Sequence, residues 1–481
     1  MDASTEETSP AQRPSLWVDR SFWGMFWTQF LGAFNDNLYK QMVLLLALPV
    51  AAGAAGLDKA ESDLQGWATF VFALPFVLFS GWTGYLSDRF SKTPIIVGSK
   101  IAEIVIMLMA CVAFLAYGKL GMAGTWTVLF LMAMQSTFFG PGKYGILPEL
   151  FDSKDLPRAN GLMLMGTFLA VIFGVVFAGQ LFDSLVSEVD GKRQIGNLWI
   201  GSLVCTGIAI LGTLTSLLVR KAPVAQPNLK WSWDSAWLSH SMRDLLLADR
   251  GLLMALIASC VFWMVSAMAM PTINRLGTES LGLNKAQTGI LVGMIAIGIM
   301  LGGPLGGWLC RRFSSRAIVT TGLWGIVICL TLLSLWKAGG APLWSSATNH
   351  GILIALGITA AIYSIPIQVY MQDRPPMALK GRMVATMNQA NFLGMLLAGP
   401  LYQLFESISQ AMRWPIQSVF GMIALLVLPL ALFYRLDERP APSQISSSSE
   451  PRLLPADKLT SPIWLAPPAG DNRADRDDPR G

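Results

Sequence analysis

Asp36 and Lys40 stand four residues apart inside a long apolar run. Around them Gln29, Gly32, Ala33, Asp36, Asn37 and Lys40 recur at helical spacing, with Asn35 beside them. A carboxylate, amides and an ammonium on one stripe of an apolar helix can meet a zwitterionic ligand, or carry a proton or cation. Asp36 lies about 21 Å along such a helix from Phe22. In a membrane that depth costs an Asp about 2.5–3.5 kcal/mol, so it needs a partner or an internal cavity. Lys40, one turn on, offers a helix-internal ion pair. Pairing and a translocation role are compatible.

Three further polar groups stand out. Lys143, Tyr144 and Glu149 close a later apolar run, where they could contact a phosphate or serve as ordinary loop charges. Lys100 and Glu103 lie near the start of another run, and snorkelling or a local ion pair accounts for them. Gly84, Asp88, Arg89 and Lys92 combine a glycine that lets helices approach with charges that can pair with each other and with helix dipoles. The alternative for that cluster is a set of charges that fixes topology.

The elements that must position these groups are membrane helices. Of 481 residues, 53% are hydrophobic and only 14% charged, against about a quarter charged in soluble domains. The runs are too long for barrel strands, which alternate over about 10 residues. Twelve apolar segments are expected, at 22–48, 65–86, 94–117, 123–140, 157–182, 197–219, 246–274, 286–310, 317–336, 350–371, 382–405 and 415–434. The fold class expected is therefore all-α, a polytopic membrane protein. Residues 1–20 are polar and show no signal-peptide pattern, so the first span is expected to be permanent. With residues 1–20 inside, fifteen Lys/Arg fall in inner loops and eight in outer ones, which places both termini in the cytoplasm. The scattered Met and Phe residues are expected to be packing residues.

The chain divides at residues 220–250, its longest polar interior stretch. A first six-helix bundle (21–222), a linker (223–245), a second bundle (246–438) and a disordered tail (439–481) are expected. Trp231, Trp233 and Trp237 make the linker either an amphipathic surface helix or a helix packed on the bundle ends. The halves resemble each other: Gly84-Tyr-Leu-Ser-Asp-Arg-Phe-Ser matches Gly307-Trp-Leu-Cys-Arg-Arg-Phe-Ser, Arg158 matches Arg382, and Gln180-Leu-Phe matches Gln403-Leu-Phe, at offsets of 223 or 224. Two parallel six-helix repeats are a transporter organisation.

The segment Gly84-Tyr-Leu-Ser-Asp88-Arg89-Phe-Ser-Lys92 resembles the loop signature between helices 2 and 3 of the major facilitator superfamily, with Ser91 where that family usually has Gly. The resemblance implies that Gly84, Asp88, Arg89 and Lys92 act in gating. Three stretches resemble the bacterial lysophospholipid transporter family, and equally the transporter domain fused to acyl-glycerophosphoethanolamine acyltransferase and acyl-carrier-protein synthetase enzymes. They are Gln29-Phe-Leu-Gly-Ala-Phe-Asn-Asp-Asn37 with Lys40, Phe139-Gly-Pro-Gly-Lys143-Tyr144-Gly-Ile-Leu-Pro-Glu149, and Arg158-Ala-Asn160-Gly161-Leu162. This implies movement of a 2-acyl-glycerophosphoethanolamine-like lysophospholipid across the bacterial inner membrane by alternating access. Gln29, Asn35, Asp36, Asn37, Lys40, Lys143 and Tyr144 are then the translocation residues. A separate acyltransferase would be a partner, and the protein is expected to be a monomer within the bilayer.

The alternative is a proton- or sodium-coupled transporter of a small solute or drug, with Asp36 as the ion site. Enzyme activity is not expected: His240-Ser-Met-Arg-Asp244 has one residue too few for the acyltransferase motif, and the tail is too short for a catalytic domain. Two histidines and five scattered cysteines offer no metal site. No cofactor, metal or nucleic acid is expected, and no Walker A sequence is present.

Overall fold

Backbone polar groups in hydrocarbon must be satisfied within their own segment, so long apolar runs become helices. A computed structural model describes residues 16–49, 63–151, 156–189, 192–222, 224, 240–310, 312–376 and 379–436. The expected tail (439–481) and most of the linker and the N-terminal segment lie outside the described residues.

The first helices are α1 (Arg20–Leu46), α2 (Gln65–Arg89), α3 (Lys92–Leu115), α4 (Tyr117–Gly145), the short α5 (Leu147–Leu150), α6 (Leu156–Leu185) and α7 (Leu198–Ser216). After the linker come the short α8 (His240–Ala248), α9 (Arg250–Arg275), α10 (Lys285–Leu309), α11 (Ser315–Leu333), α12 (Ser346–Asp373), α13 (Lys380–Ala411) and α14 (Ser418–Phe433). A π-helical turn, Leu276–Ser280, extends α9. The only strands among the described residues are β1 (Ser187–Val189) and β2 (Lys192–Gln194), an antiparallel ribbon between α6 and α7.

Among the described residues, nine helices are long and apolar enough to cross a membrane. The other long ones are informative. Polar residues interrupt α1 and α13, and α14 has 16 residues, about 24 Å of rise.

Helices up to residue 222 pack mainly on one another: α1 on α6 and α7, α3 on α4 and α7, and α2 on α4. Those after residue 240 do likewise, with α12 against α10 and α11, α9 on α13, and α11 on α14. Two larger contacts join the sets, α2 with α13 and α6 with α10. In the first, the rings of Phe76 and Phe392 stack 4.1 Å apart. In the second, the Asp183 carboxylate accepts from the backbone N–H groups of Lys285 (3.0 Å) and Ala286 (2.7 Å), satisfying orphan donors at the start of α10.

The helices alternate between two faces. The basic face is sewn by ion pairs that also cap helices. Asp19 caps α1 and pairs with Arg220 (2.9 Å). Asp249 caps α9 and pairs with Arg374 (2.5 Å). α8 lies there too, with Met242 and Leu246 buried in the second set's core.

Candidate functional site

The polar stripe of α1 points into the first helix set. Gln29 Nε2 donates to Thr167 Oγ1 of α6 (2.9 Å). Asn35 is fully buried, and its amide donates to Glu103 Oε1 of α3 (2.7 Å). Asn37 donates to the Ala33 carbonyl of its own helix (2.8 Å). Asp36 Oδ2 accepts from the Ser136 hydroxyl of α4 (2.5 Å), while its buried Oδ1 has no hydrogen-bond partner among the described residues. The Lys40 ammonium sits over the Phe72 ring of α2, 4.8 Å from the centroid. The simple Asp36–Lys40 pair is thus replaced by separate partners on α4 and α2, although Asp36 still attracts both Lys40 and Lys143 of α4. Asp36, Asn37, Lys40 and Lys143 are half-buried.

Beneath this stripe lies a pair that sequence reasoning treated as incidental. Lys100 and Glu103 form a buried ion pair on α3, each side chain 1% exposed, so Lys100 does not snorkel. Glu103 reaches Lys100 with one carboxylate oxygen and Asn35 with the other. Lys100 threads between α1 and α7 only because glycines flank it. A Cβ on Gly32 would come within 2.9 Å of Lys100 Nζ, and one on Gly212 within 2.9 Å of its Cε. Gly32 of the stripe therefore serves this pair, which joins Asn35 of α1 to α3 one residue before Asp36.

A second face of α1 carries Phe22, Phe26, Phe30 and Phe34, four residues apart. Phe26, Phe30 and Phe34 stack successively with centroids 6.5 Å apart, and Phe34 reaches Phe177 of α6 (6.0 Å). The four-residue spacing was readable in the sequence.

The gating candidates sit on the basic face. Lys92 pairs with Glu149, so Glu149 is engaged within the first helix set. Arg89 is exposed, donates to the Tyr85 hydroxyl and lies 5.6 Å from the Phe90 ring. Gly84 faces open space. The side chains of Asp88 and Tyr144 lie outside the described residues.

On the opposite face a buried polar network ties the two helix sets together. Asp63 is its hub. It accepts from the Tyr402 hydroxyl (2.5 Å) and Gln65 Nε2 (3.2 Å), with Arg275 Nη1 at 3.7 Å. Its backbone carbonyl accepts from Gln403 Nε2 (2.6 Å). Gln41 donates to Asn274 (2.9 Å), which donates to Gln65 (2.8 Å). Arg275 also pairs with Glu279 (2.7 Å) and Glu406 (2.9 Å). Burial raises the Asp63 carboxyl above its ordinary value, against the pull of Arg275 and the hydrogen bonds. Sequence reasoning missed this network. Its visible signals were Gln41, the next member of the series 29, 33, 37, and Gln403, which stood out only as a match between the two halves.

Residues 25–399 match the family model of the Major Facilitator Superfamily. The chain is 25% identical over 393 residues to the lysophospholipid transporter LplT of Enterobacter sp. (strain 638), covering 81% of this chain and 89% of that protein. It is 23% identical over 408 residues to the lysophospholipid transporter LplT of Serratia proteamaculans (strain 568), covering 82% and 91%. Among solved structures, a mutant of the nucleoside transporter NupG superposes with a TM-score of 0.63 at 12% identity, covering 87% of this chain and 98% of that one. A POT family transporter in complex with 5-aminolevulinic acid gives 0.65 at 15% identity, covering 86% and 96%.

Proposed function

The chain belongs to the Major Facilitator Superfamily, and from that premise we propose that it moves lysophospholipid across the bacterial inner membrane by alternating access. Twelve spans form two six-helix bundles, 21–222 and 246–438, with both termini and the basic face in the cytoplasm. The opposite face is then periplasmic, and the Asp63 network is its closed gate. In this reading a closed periplasmic gate belongs to the conformation that opens toward the cytoplasm. Gly84, Asp88, Arg89 and Lys92 hold the alternate, outward-open conformation.

The observation that carries the substrate is Asp36. It is a half-buried carboxylate with one oxygen on Ser136 and the other unpartnered, and it attracts Lys40 and Lys143. One anion with two cations fits a zwitterionic headgroup: the ammonium of an ethanolamine on Asp36, its phosphate on Lys40 and Lys143. The phenylalanine ladder of α1 supplies an apolar wall for a single acyl chain. Names of the curated relatives support the same class. Binding Asp36 more tightly in one conformation than the other would shift the gate. A separate acyltransferase would consume the delivered lysophospholipid, and the monomer is the working unit.

The test is a substrate panel in proteoliposomes: lysophosphatidylethanolamine, diacyl phosphatidylethanolamine and glycerophosphoethanolamine. Movement of the first in preference to both others is expected. Movement of a small polar solute, dependent on a proton or sodium gradient and without lysophospholipid movement, would replace this proposal with the ion-coupled one.

A further inference from the structure

Between α11 and α14, on the outer flank of the second helix set, lies a hollow of about 350 Å³. Val327 and Thr331 of α11 form one wall, and Met422, Ala424 and Leu428 of α14 the other. Its mouth, at the opposite face, is framed by Trp336 and Trp414. From Ser418 to Leu428 the groove runs about 15 Å into the membrane. Around it Ile328 and Leu425 are largely exposed, so this flank faces hydrocarbon.

The hydroxyls in the walls are already satisfied. Thr331 donates to the Val327 carbonyl (2.7 Å), Ser334 to the Thr331 carbonyl (2.7 Å), and Ser418 shares a bond with Ser409 (2.8 Å). A hollow whose polar groups are spent on its own helices has little to offer water and suits hydrocarbon. Indoles at the mouth are in the position that aromatic belts take at the headgroup level.

The rim is cationic. Lys337 and Arg413 are exposed beside the two tryptophans, and neither forms an ion pair among the described residues. Arg413 carries the one positive φ (54°) of any non-glycine residue described, at the turn that ends α13. Glycine is the comfortable residue in such a turn, and an arginine there is strained. A strained cation at the mouth of an apolar groove points to an anionic ligand group.

We infer that this hollow holds one acyl chain of a bilayer diacyl phospholipid, whose phosphate is bound by Arg413 and Lys337. The site lies outside the α1 stripe and holds lipid of the surrounding leaflet rather than the transported molecule.

Native mass spectrometry tests this on the full chain, released from detergent after exposure to equal amounts of phosphatidylglycerol and lysophosphatidylethanolamine. The wild type should retain phosphatidylglycerol as a discrete adduct. Ala424→Leu narrows the hollow where an acyl chain would pass, and Arg413→Gly removes the cation. Each should lower that retention about tenfold. Arg413→Gly relieves backbone strain, so its melting temperature in lipid-free detergent should rise, which separates lost binding from lost folding. Undiminished phosphatidylglycerol retention in both variants would overturn the site. Retention sensitive to Ala424→Leu but only of the lysophospholipid would overturn the assignment to a bilayer lipid.

Discussion

Tyr402→Phe removes one oxygen from the opposite face and leaves its shape intact. That hydroxyl donates to Asp63 Oδ2 at 2.5 Å, and the bond joins α13 to the segment before α2. Asp63 keeps Gln65 and Arg275 in the variant, so it is not orphaned. A hydrogen bond to a charged acceptor contributes about 1.5–3 kcal/mol. If it exists only when that face is closed, its loss lowers the closed-to-open ratio by about 10- to 150-fold. Spin labels at Ser187 and Ala338, on opposite sets at that face, would report the change as a longer-distance population. Acidification should act in the reverse sense. The carboxyl is raised in the closed state and reverts to its ordinary value when solvated, so the closed state binds the extra proton. The contribution is complete below the ordinary carboxylate value and is lost as pH rises through the raised one. Closed population should therefore grow as pH falls through that window, and Asp63→Asn should weaken the dependence, leaving the share carried by Glu406, the other carboxylate on Arg275. Unchanged distance distributions in Tyr402→Phe and in Asp63→Ala alike would refute the gate.

Other consequences follow from the buried groups around α1. Glu103→Ala strands Lys100 and should cost about 3–5 kcal/mol, seen as a large fall in melting temperature, with Lys100→Met in the same chain recovering much of it. Gly32→Val should also destabilise, by about 1–3 kcal/mol, because its side chain meets the Lys100 ammonium; Lys100→Ala is itself costly because it strands Glu103, but in its presence the added cost of Gly32→Val should shrink. Reporter fusions after Arg220 and after Leu436 should give a cytoplasmic signal and one near Glu188 a periplasmic one; a periplasmic signal after Arg220 would invert the proposed topology.

Helix positions were legible because hydropathy and helix burial coincide in most spans. The departures lie where they separate. The segment expected at 382–405 is α13, Lys380–Ala411, because Glu406 and Gln410, beyond the expected end, are drawn into the Arg275 network. The segment expected at 123–140 begins just after Gly121, whose φ of 55° breaks the helix that runs from Tyr117. The run expected from 246 is split at Asp249, whose side chain caps α9 and ends α8. For the site, spacing alone placed Gln29, Asp36 and Lys40 on one stripe. It could not find Thr167, Ser136 or Phe72, which lie 138, 100 and 32 residues away in sequence and meet α1 only through packing. Periodicity reports which face of a helix is special, not which helix faces it.

The most direct test is flipping of a fluorescent lysophosphatidylethanolamine by Asp36→Asn in liposomes, read by dithionite quenching with melting temperature recorded alongside. The substitution keeps shape and the Ser136 contact but removes the charge proposed to meet the ammonium. The account predicts flipping reduced by about tenfold or more, with the fold retained. If Asp36 serves Lys40 instead, the variant loses stability, and Asp36→Asn with Lys40→Gln restores stability and flipping together. Wild-type flipping by a folded Asp36→Asn protein would contradict the central claim.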